Sequence, residues 1–292
     1  IDGVDVIIDE GASFTNVAQL ININTKASSV TLTKVKDLAS KLVTEAAKGN
    51  SSVIKSKTVV VNEAGAATTH ATVANIDSIL TSASTVEYDK IYGDATSLST
   101  HIVSKGAGAT NRAKGKAITI NETSDFANAS EIKNIAGANG ATAIGSVTYT
   151  TISDQESALA SLATSNPTYF KNKTIVSTNG LTAANYRNFI STLGANAANK
   201  VHGDVTGNLT TLASALNVNY SSAITNGNTV TLDLSSSNDI DLTNDTLDSE
   251  ITHINIRSKT GVIFEIADIK GKTISGSGSY IIKDTAQNTK AA

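Results

Sequence analysis

The stretch Lys-Ala-Ile-Thr-Ile-Asn-Glu at residues 116–122 decides the fold, because a short apolar run that ends in a polar turn returns along the chain. Related stretches occur at residues 5–10, 58–63, 174–179 and, more loosely, 230–233. The residue after each apolar run stands at position 9, 62, 121, 178 or 233, so the spacings are 53, 59, 57 and 55 by subtraction. A drifting period of this size predicts a repeat architecture.

Each repeat contains a second apolar run that ends in an Asp of its own, so the repeat has two halves. These aspartates are spaced by 57, 60 and 50 residues. Apolar residues at helical spacing follow three of them, and Asp is favoured at the N-cap of a helix. We therefore expect the aspartates to cap helices and not to bind a ligand. They are Asp37, Asp94, Asp154 and Asp204.

Each half-repeat is thus predicted to consist of a strand, a turn, a helix and a loop. Strands joined through helices run parallel, and right-handed crossovers are strongly favoured. The sequence predicts an α/β solenoid with a parallel sheet over residues 1–227, with a period of about 57 residues. From residue 229 six short strand patterns without a helical stripe predict a β-rich segment over 228–284, either a β-helix-like coil or a small sandwich. Residues 285–292 are expected to form a tail or linker.

The composition limits the classes of function. Of 292 residues, 40% are apolar and only 4% aromatic, which predicts a thin aliphatic core. A net charge of −3 disfavours binding to nucleic acid, and no apolar run approaches the length that spans a bilayer. The chain has no Cys, which excludes disulfides and thiolate catalysis, and no Met even at position 1, which favours a fragment or processed product.

One acidic concentration is a candidate metal site. Carboxylates on a loop-rich β segment are the ligands that Ca²⁺ requires, although their spacing matches neither an EF-hand nor a glycine-rich nonapeptide repeat. A solvated acidic face explains the same residues, so both interpretations stay open. The candidate calcium ligands are Asp233, Asp239, Asp241, Asp245 and Asp248, with Glu250 beside them.

No catalytic constellation stands out. The four histidines are dispersed without ligand spacing, and no nucleophile elbow, phosphate loop or dinucleotide fingerprint is present. The acidic residues offer no particular pair for acid–base hydrolysis. We therefore expect a protein that is not an enzyme.

Three stretches, at residues 90–98, 203–209 and 271–276, resemble the degenerate repeats of bacterial surface-layer proteins and related type I secreted cell-surface proteins of Gram-negative bacteria. The resemblance implies export to the bacterial cell surface and self-association in a two-dimensional lattice. It also implies calcium dependence and contact with lipopolysaccharide or another surface glycan. This family has no catalytic residues to carry over.

The leading hypothesis is a structural segment of a surface-layer protein that self-assembles through stacked repeats. An adhesin or glycan-binding solenoid is the alternative, and it would present exposed aromatic residues along one face. The candidates for that face are Tyr149, Tyr169, Tyr186 and Tyr220. A β-helix enzyme that cleaves polysaccharides, with acidic residues between 233 and 250 at its site, ranks third.

Overall fold

A computed structural model describes most of the chain. The described residues are 2–8, 14–106, 108–123, 125–137, 146–193, 201–216, 228–235, 241–243, 245 and 247–283. The strands are β1 (Asp5–Ile7), β2 (Ser29–Thr31), β3 (Lys34–Asp37), β4 (Thr58–Val61), β5 (Thr85–Glu87), β6 (Lys90–Gly93), β7 (Ala117–Ile120), β8 (Val147–Thr148), β9 (Thr151–Asp154), β10 (Thr174–Ser177), β11 (Leu181–Thr182), β12 (Val201–His202), β13 (Val205–Gly207), β14 (Val230–Asp233), β15 (His253–Asn255), β16 (Val262–Glu265), β17 (Thr273–Ser275) and β18 (Tyr280–Lys283).

The helices alternate with these strands. They are α1 (Val17–Asn24), α2 (Ala39–Ala46), α3 (Val73–Ile79), α4 (Ala95–Lys105), α5 (Ala129–Gly137), α6 (Glu156–Ser165), α7 (Ala183–Leu193), α8 (Leu209–Ala215) and α9 (Ile266–Ile269). All pairings between the described strands are parallel, as expected when helices connect successive strands. The predicted mixed α/β class with parallel sheets is therefore confirmed.

The chain divides into two compact units. Unit 1 comprises Ile1–Ala127 with Glu131–Tyr149, and unit 2 comprises Asn128–Ser130 with Thr150–Ala292. Unit 1 contains the sheets β1-β2, β3-β4-β5 and β6-β7-β8. Unit 2 contains the sheets β9-β10-β12, β11-β13-β14-β15-β17 and β16-β18. The boundary predicted between residues 227 and 228 stays a prediction, since residues 217–227 lie outside the described residues.

A half-repeat contains two extended segments before its helix, where the sequence pattern indicated one. In residues 29–46 the order is β2, β3 and α2, and in residues 85–105 it is β5, β6 and α4. In other half-repeats the second segment is a single bridging residue, such as Ala71, which pairs with Ile91. We call the two segments the first and second strands of a half-repeat.

The two apolar runs of the sequence repeat are hydrogen-bonded neighbours. The run that ends at Asp37 pairs with the run at residues 58–61, and Asp37 lies opposite Val61. The same relation joins β6 to β7, β9 to β10 and β13 to β14. A second strand of one half-repeat therefore pairs with the first strand of the next.

This pairing explains why the period is about 57 residues and not half of that. In sheet β3-β4-β5, β3 is a second strand, whereas β4 and β5 are first strands of the next two half-repeats. Sheet β6-β7-β8 repeats the arrangement with the following strands. Pairing shifts sideways by one strand every second half-repeat: there a second strand pairs with the first strand of the next half-repeat, and not with its second strand. Only alternate half-repeats are therefore equivalent.

Alternation along the strands separates the core from the polar surface. In β3 and β4, Val35, Val59 and Val61 are buried, whereas the side chains between them are partly exposed. Each fully buried Val, Leu or Ile contributes about 1.5–3 kcal/mol relative to an exposed side chain. Unit 1 has an aliphatic core, as predicted, while unit 2 adds an aromatic pair in which Phe170 and Phe189 stack at 6.1 Å and 9°.

The prediction that the recurring aspartates cap the following helix is right for Asp94 and wrong for the other three. Asp94 is the N-cap of α4, and its Oδ1 accepts from the Ser97 N–H at 2.8 Å. The helices after Asp37 and Asp154 begin instead after Leu38 and Gln155, and neither has a side-chain cap. The cap of α8 is an asparagine four residues beyond Asp204.

Asp37 and Asp154 act on the preceding half-repeat. The Oδ2 atom of Asp37 accepts from the N–H of Val17, the first residue of α1, at 3.2 Å. The Oδ2 atom of Asp154 accepts from the N–H of Ala129, the first residue of α5, at 3.1 Å. The first N–H groups of a helix lack partners within the helix and carry its positive dipole end, which explains the attraction of a carboxylate.

The β-rich prediction for the end of the chain holds in its strands and misses one helix. The structure has β14, β15, β16, β17 and β18 close to the predicted positions, and Asp241 forms a parallel bridge with Ile263. The short helix α9 begins at Ile266, in a segment whose sequence pattern has no helical stripe. Its four residues are too few to form a periodic apolar stripe that would predict a helix.

Candidate functional site

Asp233, the first of the candidate calcium ligands, forms an ion pair with Arg257. Its carboxylate accepts from Arg257 twice, with Nη2–Oδ2 at 2.5 Å and Nε–Oδ1 at 3.1 Å, and it accepts from the Ser235 N–H at 2.9 Å. These hydrogen bonds, chiefly the one from Arg257, lower the pKa of Asp233 to about 2. The carboxylate is thus satisfied by protein donors, and this arrangement is a fork-like Arg–carboxylate contact.

The other candidates make local hydrogen bonds. The Oδ1 atom of Asp241 accepts from the N–H and hydroxyl of Thr243, and its Oδ2 lies 3.6 Å from Lys283 Nζ. These contacts, chiefly with Thr243, lower the pKa of Asp241. The Oδ1 atom of Asp248 accepts from the N–H of Glu250 at 2.9 Å.

The acidic residues are not gathered into one cluster in the part of the chain that the structure describes. There, no group of three or more His, Cys, Asp or Glu side chains is placed to hold a metal ion. The N–H of Asp245 donates to the carbonyl of Leu242, and Asp239 lies outside the described residues. Calcium binding by these residues therefore stays a prediction.

Further carboxylates in the chain bind backbone donors of the neighbouring half-repeat. The Oε1 atom of Glu63 accepts from the N–H groups of Asp89 and Lys90, both at 2.7 Å. The Oδ1 atom of Asp204 accepts from the Thr229 N–H at 2.7 Å. Together with Asp37 and Asp154, these contacts connect residues 20 to 27 positions apart. They connect successive half-repeats through side chains, in addition to the strand pairing.

Glu156 belongs to the same group and has a shifted pKa. Its Oε1 accepts from the N–H of Thr182 at 2.5 Å and from the side-chain amide of Asn185 at 2.9 Å. Partial burial alone would raise the pKa of Glu156, but the hydrogen bonds from Thr182 and Asn185 outweigh burial and lower it. The ionised form of Glu156 is therefore the one that the folded chain stabilises.

The histidines occupy different environments. His70 is buried, and within the described residues neither ring nitrogen has a hydrogen-bond partner. The Nε2 atom of His101 accepts from the Arg112 N–H at 2.9 Å, and burial lowers the pKa of His101. The dispersed positions of the histidines in the sequence do not indicate a buried ring at position 70.

The tyrosines proposed for a glycan-binding face do not share an exposed surface. Tyr149 and Tyr186 are buried, and burial raises the pKa of Tyr186. Tyr169 is half-buried, and Tyr220 lies outside the described residues. The spacing of these tyrosines does not follow the period of the strands, so the sequence could not show whether they share a face.

The terminal strands carry apolar side chains that face solvent. In β18, Ile281 is 52% exposed, and its neighbours Tyr280 and Ile282 are each 46% exposed. In β1, Ile7 is 82% exposed. Among the described strands, β18 pairs only with β16, and β1 pairs only with β2. These two edges are the candidate functional surface, and three consecutive apolar residues in β18 are the sequence signal that could have identified it.

In the part of the chain described by the structure, helices are too short or too polar to cross a bilayer. Comparison with protein-family models, with curated proteins and with solved structures gave no match.

Proposed function

We propose that this chain is a non-catalytic structural segment of a bacterial cell-surface protein of the surface-layer kind. In this proposal the half-repeats stack into a solenoid, and copies associate at the cell surface to form a lattice. The observation that carries the proposal is the succession of parallel pairings within each unit, in which β1 and β18 each have one described strand partner and carry exposed apolar side chains.

The free edge of β1 and the free edge of β18 could pair with each other in a parallel sheet. In a parallel sheet each strand pairs with its predecessor along one edge and with its successor along the other. Within the described residues β1 has only a successor, β2, and β18 has only a predecessor, β16. A copy that placed its β1 against β18 of another copy would continue the same parallel pairing. Such a head-to-tail contact does not close on itself and produces linear rows of copies, which would supply one direction of the lattice.

Exposed edges of this type favour association over a free monomer. Unpaired N–H and C=O groups on an edge strand bind a further strand, and natural monomers usually block them with charge. The described part of β18 carries one charged residue, Lys283, beside its three exposed apolar side chains. Burial of those side chains would add hydrophobic free energy to the main-chain hydrogen bonds.

Location at the cell surface, contact with lipopolysaccharide or a surface glycan, and calcium dependence enter the proposal from the resemblance of the repeats. The acidic residues after position 233 are the candidate calcium ligands. Assembly measured by electron microscopy with and without added calcium tests their role. Lattice formation that is independent of calcium would show that these residues have no calcium-dependent role in assembly.

A charge placed on the β18 edge tests the proposal directly. We expect wild-type chains to form linear assemblies as concentration rises, and Ile281→Lys to remain monomeric because the new charge blocks strand addition. Sedimentation velocity and negative-stain electron microscopy measure both outcomes. Val103→Lys on α4 is the matched control, because Val103 is also 52% exposed but lies on a helix. A monomeric wild type, or equal loss of assembly in both variants, would contradict the proposal.

A further inference from the structure

A groove in unit 1 lies beside the link between β5 and β6. Its cavity volume is about 590 Å³. The link consists of Tyr88 and Asp89 alone, and the groove extends from this link to Asn62 and Glu63 after β4. Ligand sites usually have volumes of about 300–1,000 Å³. The groove is therefore large enough for a small ligand.

The wall of the groove is fixed by hydrogen bonds. Glu63 holds the N–H groups of Asp89 and Lys90, and the Tyr88 hydroxyl donates to the Arg112 carbonyl at 2.9 Å. The ammonium group of Lys116 donates to the Tyr88 carbonyl and lies 4.6 Å from the centre of the Tyr88 ring. Because both sides of the link are held, its backbone is fixed in place, which lowers the entropic cost of ordering this wall of the groove on binding.

The charges around the groove nearly cancel. The lining includes three carboxylates, on Glu63, Glu87 and Asp89, and the ammonium groups of Lys36 and Lys116. A further lysine just outside the lining, Lys34, pairs with Glu87 at 2.7 Å. An anionic ligand would meet the three carboxylates, and a cationic ligand would meet the lysines, so neither charge is favoured.

Polar groups with free bonding capacity remain in the groove. The side chain of Asp89 is 93% exposed, and its described contact is with Lys116 Nζ at 3.8 Å. Lys36 lies 5.7 Å from the centre of the Phe14 ring and has no carboxylate within ion-pair distance among the described residues. Carboxylate acceptors and ammonium donors within one groove match hydroxyl groups, each of which both donates and accepts.

We propose that this groove binds a neutral saccharide segment. Hydroxyl groups of the sugar would donate to Asp89 and accept from Lys36, while its C–H surface would pack against the apolar lining of Val60 and Val86. The site specifies the surface-glycan contact of the proposed function but does not depend on assembly, because an isolated monomer would carry it. It differs from the row of tyrosines in the alternative adhesin hypothesis, since it is a single groove at the Tyr88 link.

Binding of defined saccharides to the full chain tests this proposal. The probes are trimers of glucose and of N-acetylglucosamine, with a heparin-derived hexasaccharide as the anionic comparison, measured by saturation-transfer NMR and isothermal titration calorimetry. We expect a neutral trimer to bind and Asp89→Asn and Lys36→Met each to weaken it about tenfold, the effect of losing one hydrogen bond to a charged group.

Lys26→Met and Asp125→Asn are the matched controls, since both residues are exposed and neither lines the groove. They should bind like the wild type, and thermal unfolding of all four variants should show an intact fold. The proposal is overturned if no neutral saccharide binds, if only the heparin fragment binds, or if the groove variants bind as tightly as the controls.

Discussion

The helix-bearing half-repeats of residues 14–216 and the β-rich end of residues 228–283 use carboxylates differently. In the half-repeats Asp37 and Asp154 accept backbone N–H groups from the preceding half-repeat. In the β-rich end Asp233 and Asp241 bind the side chains of Arg257 and Lys283 and backbone donors two residues away. The difference follows from the helices, because each helix start supplies N–H groups without helical partners.

Strand pairing also differs between the half-repeats and the β-rich end. In the half-repeats pairing shifts sideways after every second half-repeat, as in sheet β3-β4-β5. In the β-rich end β14, β15 and β17 follow one another in a single sheet, and β16 pairs with β18 beside it. Where long helices are absent, the sideways shift is absent too. The comparison teaches that the helices, and the carboxylates that accept from the N–H groups at helix starts, belong to the shifted arrangement.

The largest effect is expected from Asp37, which is 7% exposed. Asp37→Ala leaves the Val17 and Leu38 N–H groups without their carboxylate partner. A hydrogen bond to a charged group contributes about 1.5–3 kcal/mol, so we expect a loss of about 2–3 kcal/mol in the free energy of unfolding. Urea unfolding followed by circular dichroism measures it.

Asp89→Ala is the comparison for that measurement, because Asp89 is highly exposed and makes a long contact with Lys116. Its removal should change the free energy of unfolding by less than about 0.5 kcal/mol. Equal effects of the two substitutions would show that the cross-repeat hydrogen bond of Asp37 adds nothing to stability.

A smaller effect, dependent on pH, is expected from Glu156. Hydrogen bonds from Thr182 and Asn185 lower its pKa below the ordinary 4.5 despite partial burial. Its contribution is therefore complete above 4.5 and disappears as pH falls through the folded-state pKa. Glu156→Gln should lower the free energy of unfolding by about 1 kcal/mol at pH 7, since the carboxylate is only partly buried and solvent weakens its hydrogen bonds. Urea unfolding between pH 7 and pH 3 measures the difference, and a gap of constant size across this range would refute the assignment.

The smallest effect on stability is expected at the β-rich end. Arg257→Gln removes the main cause of the lowered pKa of Asp233, so that pKa should rise from about 2 towards 3.8. The Arg257 side chain is 54% exposed and that of Asp233 12%, so solvent screening should limit the loss in the free energy of unfolding at neutral pH to less than about 1 kcal/mol. Carbon-13 NMR titration of the carboxyl groups measures the pKa, and Lys283→Gln, which alters the partner of Asp241, should leave it unchanged. An unaltered pKa after Arg257→Gln would separate Asp233 from this ion pair.

Sequence periodicity predicted the strands and most helices, because the apolar runs alternate and those helices carry an apolar stripe. The stripe through Ile76 and Ile79 gave α3, and the run at residues 116–122 gave β7. The sequence could not reveal that second strands pair with first strands, because pairing is a relation between distant segments with similar patterns. The same limit applies to Asp37, whose position before a helix is typical of a cap although its partner is Val17.

The candidate surface was harder to predict than the fold. Exposure of Ile281 depends on which strands lie beside β18, and the apolar run at residues 280–282 does not reveal which strands those are. The groove at Tyr88 is formed by residues from four separate elements and loops, from Lys36 to Lys116, so spacing along the chain does not bring them together. The described acidic residues from Asp233 to Glu250 show the opposite, since they are close in sequence but make separate contacts.

The sideways shift of strand pairing sets the size of the smallest change in chain length that the fold tolerates. Removing one half-repeat from the shifted region would place a first strand where a second strand is needed, and its helix would meet no matching carboxylate. Removing two half-repeats, about 57 residues, returns every strand to an equivalent neighbour. Proteins built on this plan should therefore differ in length by whole pairs of half-repeats, and duplication within a gene would have to respect that unit.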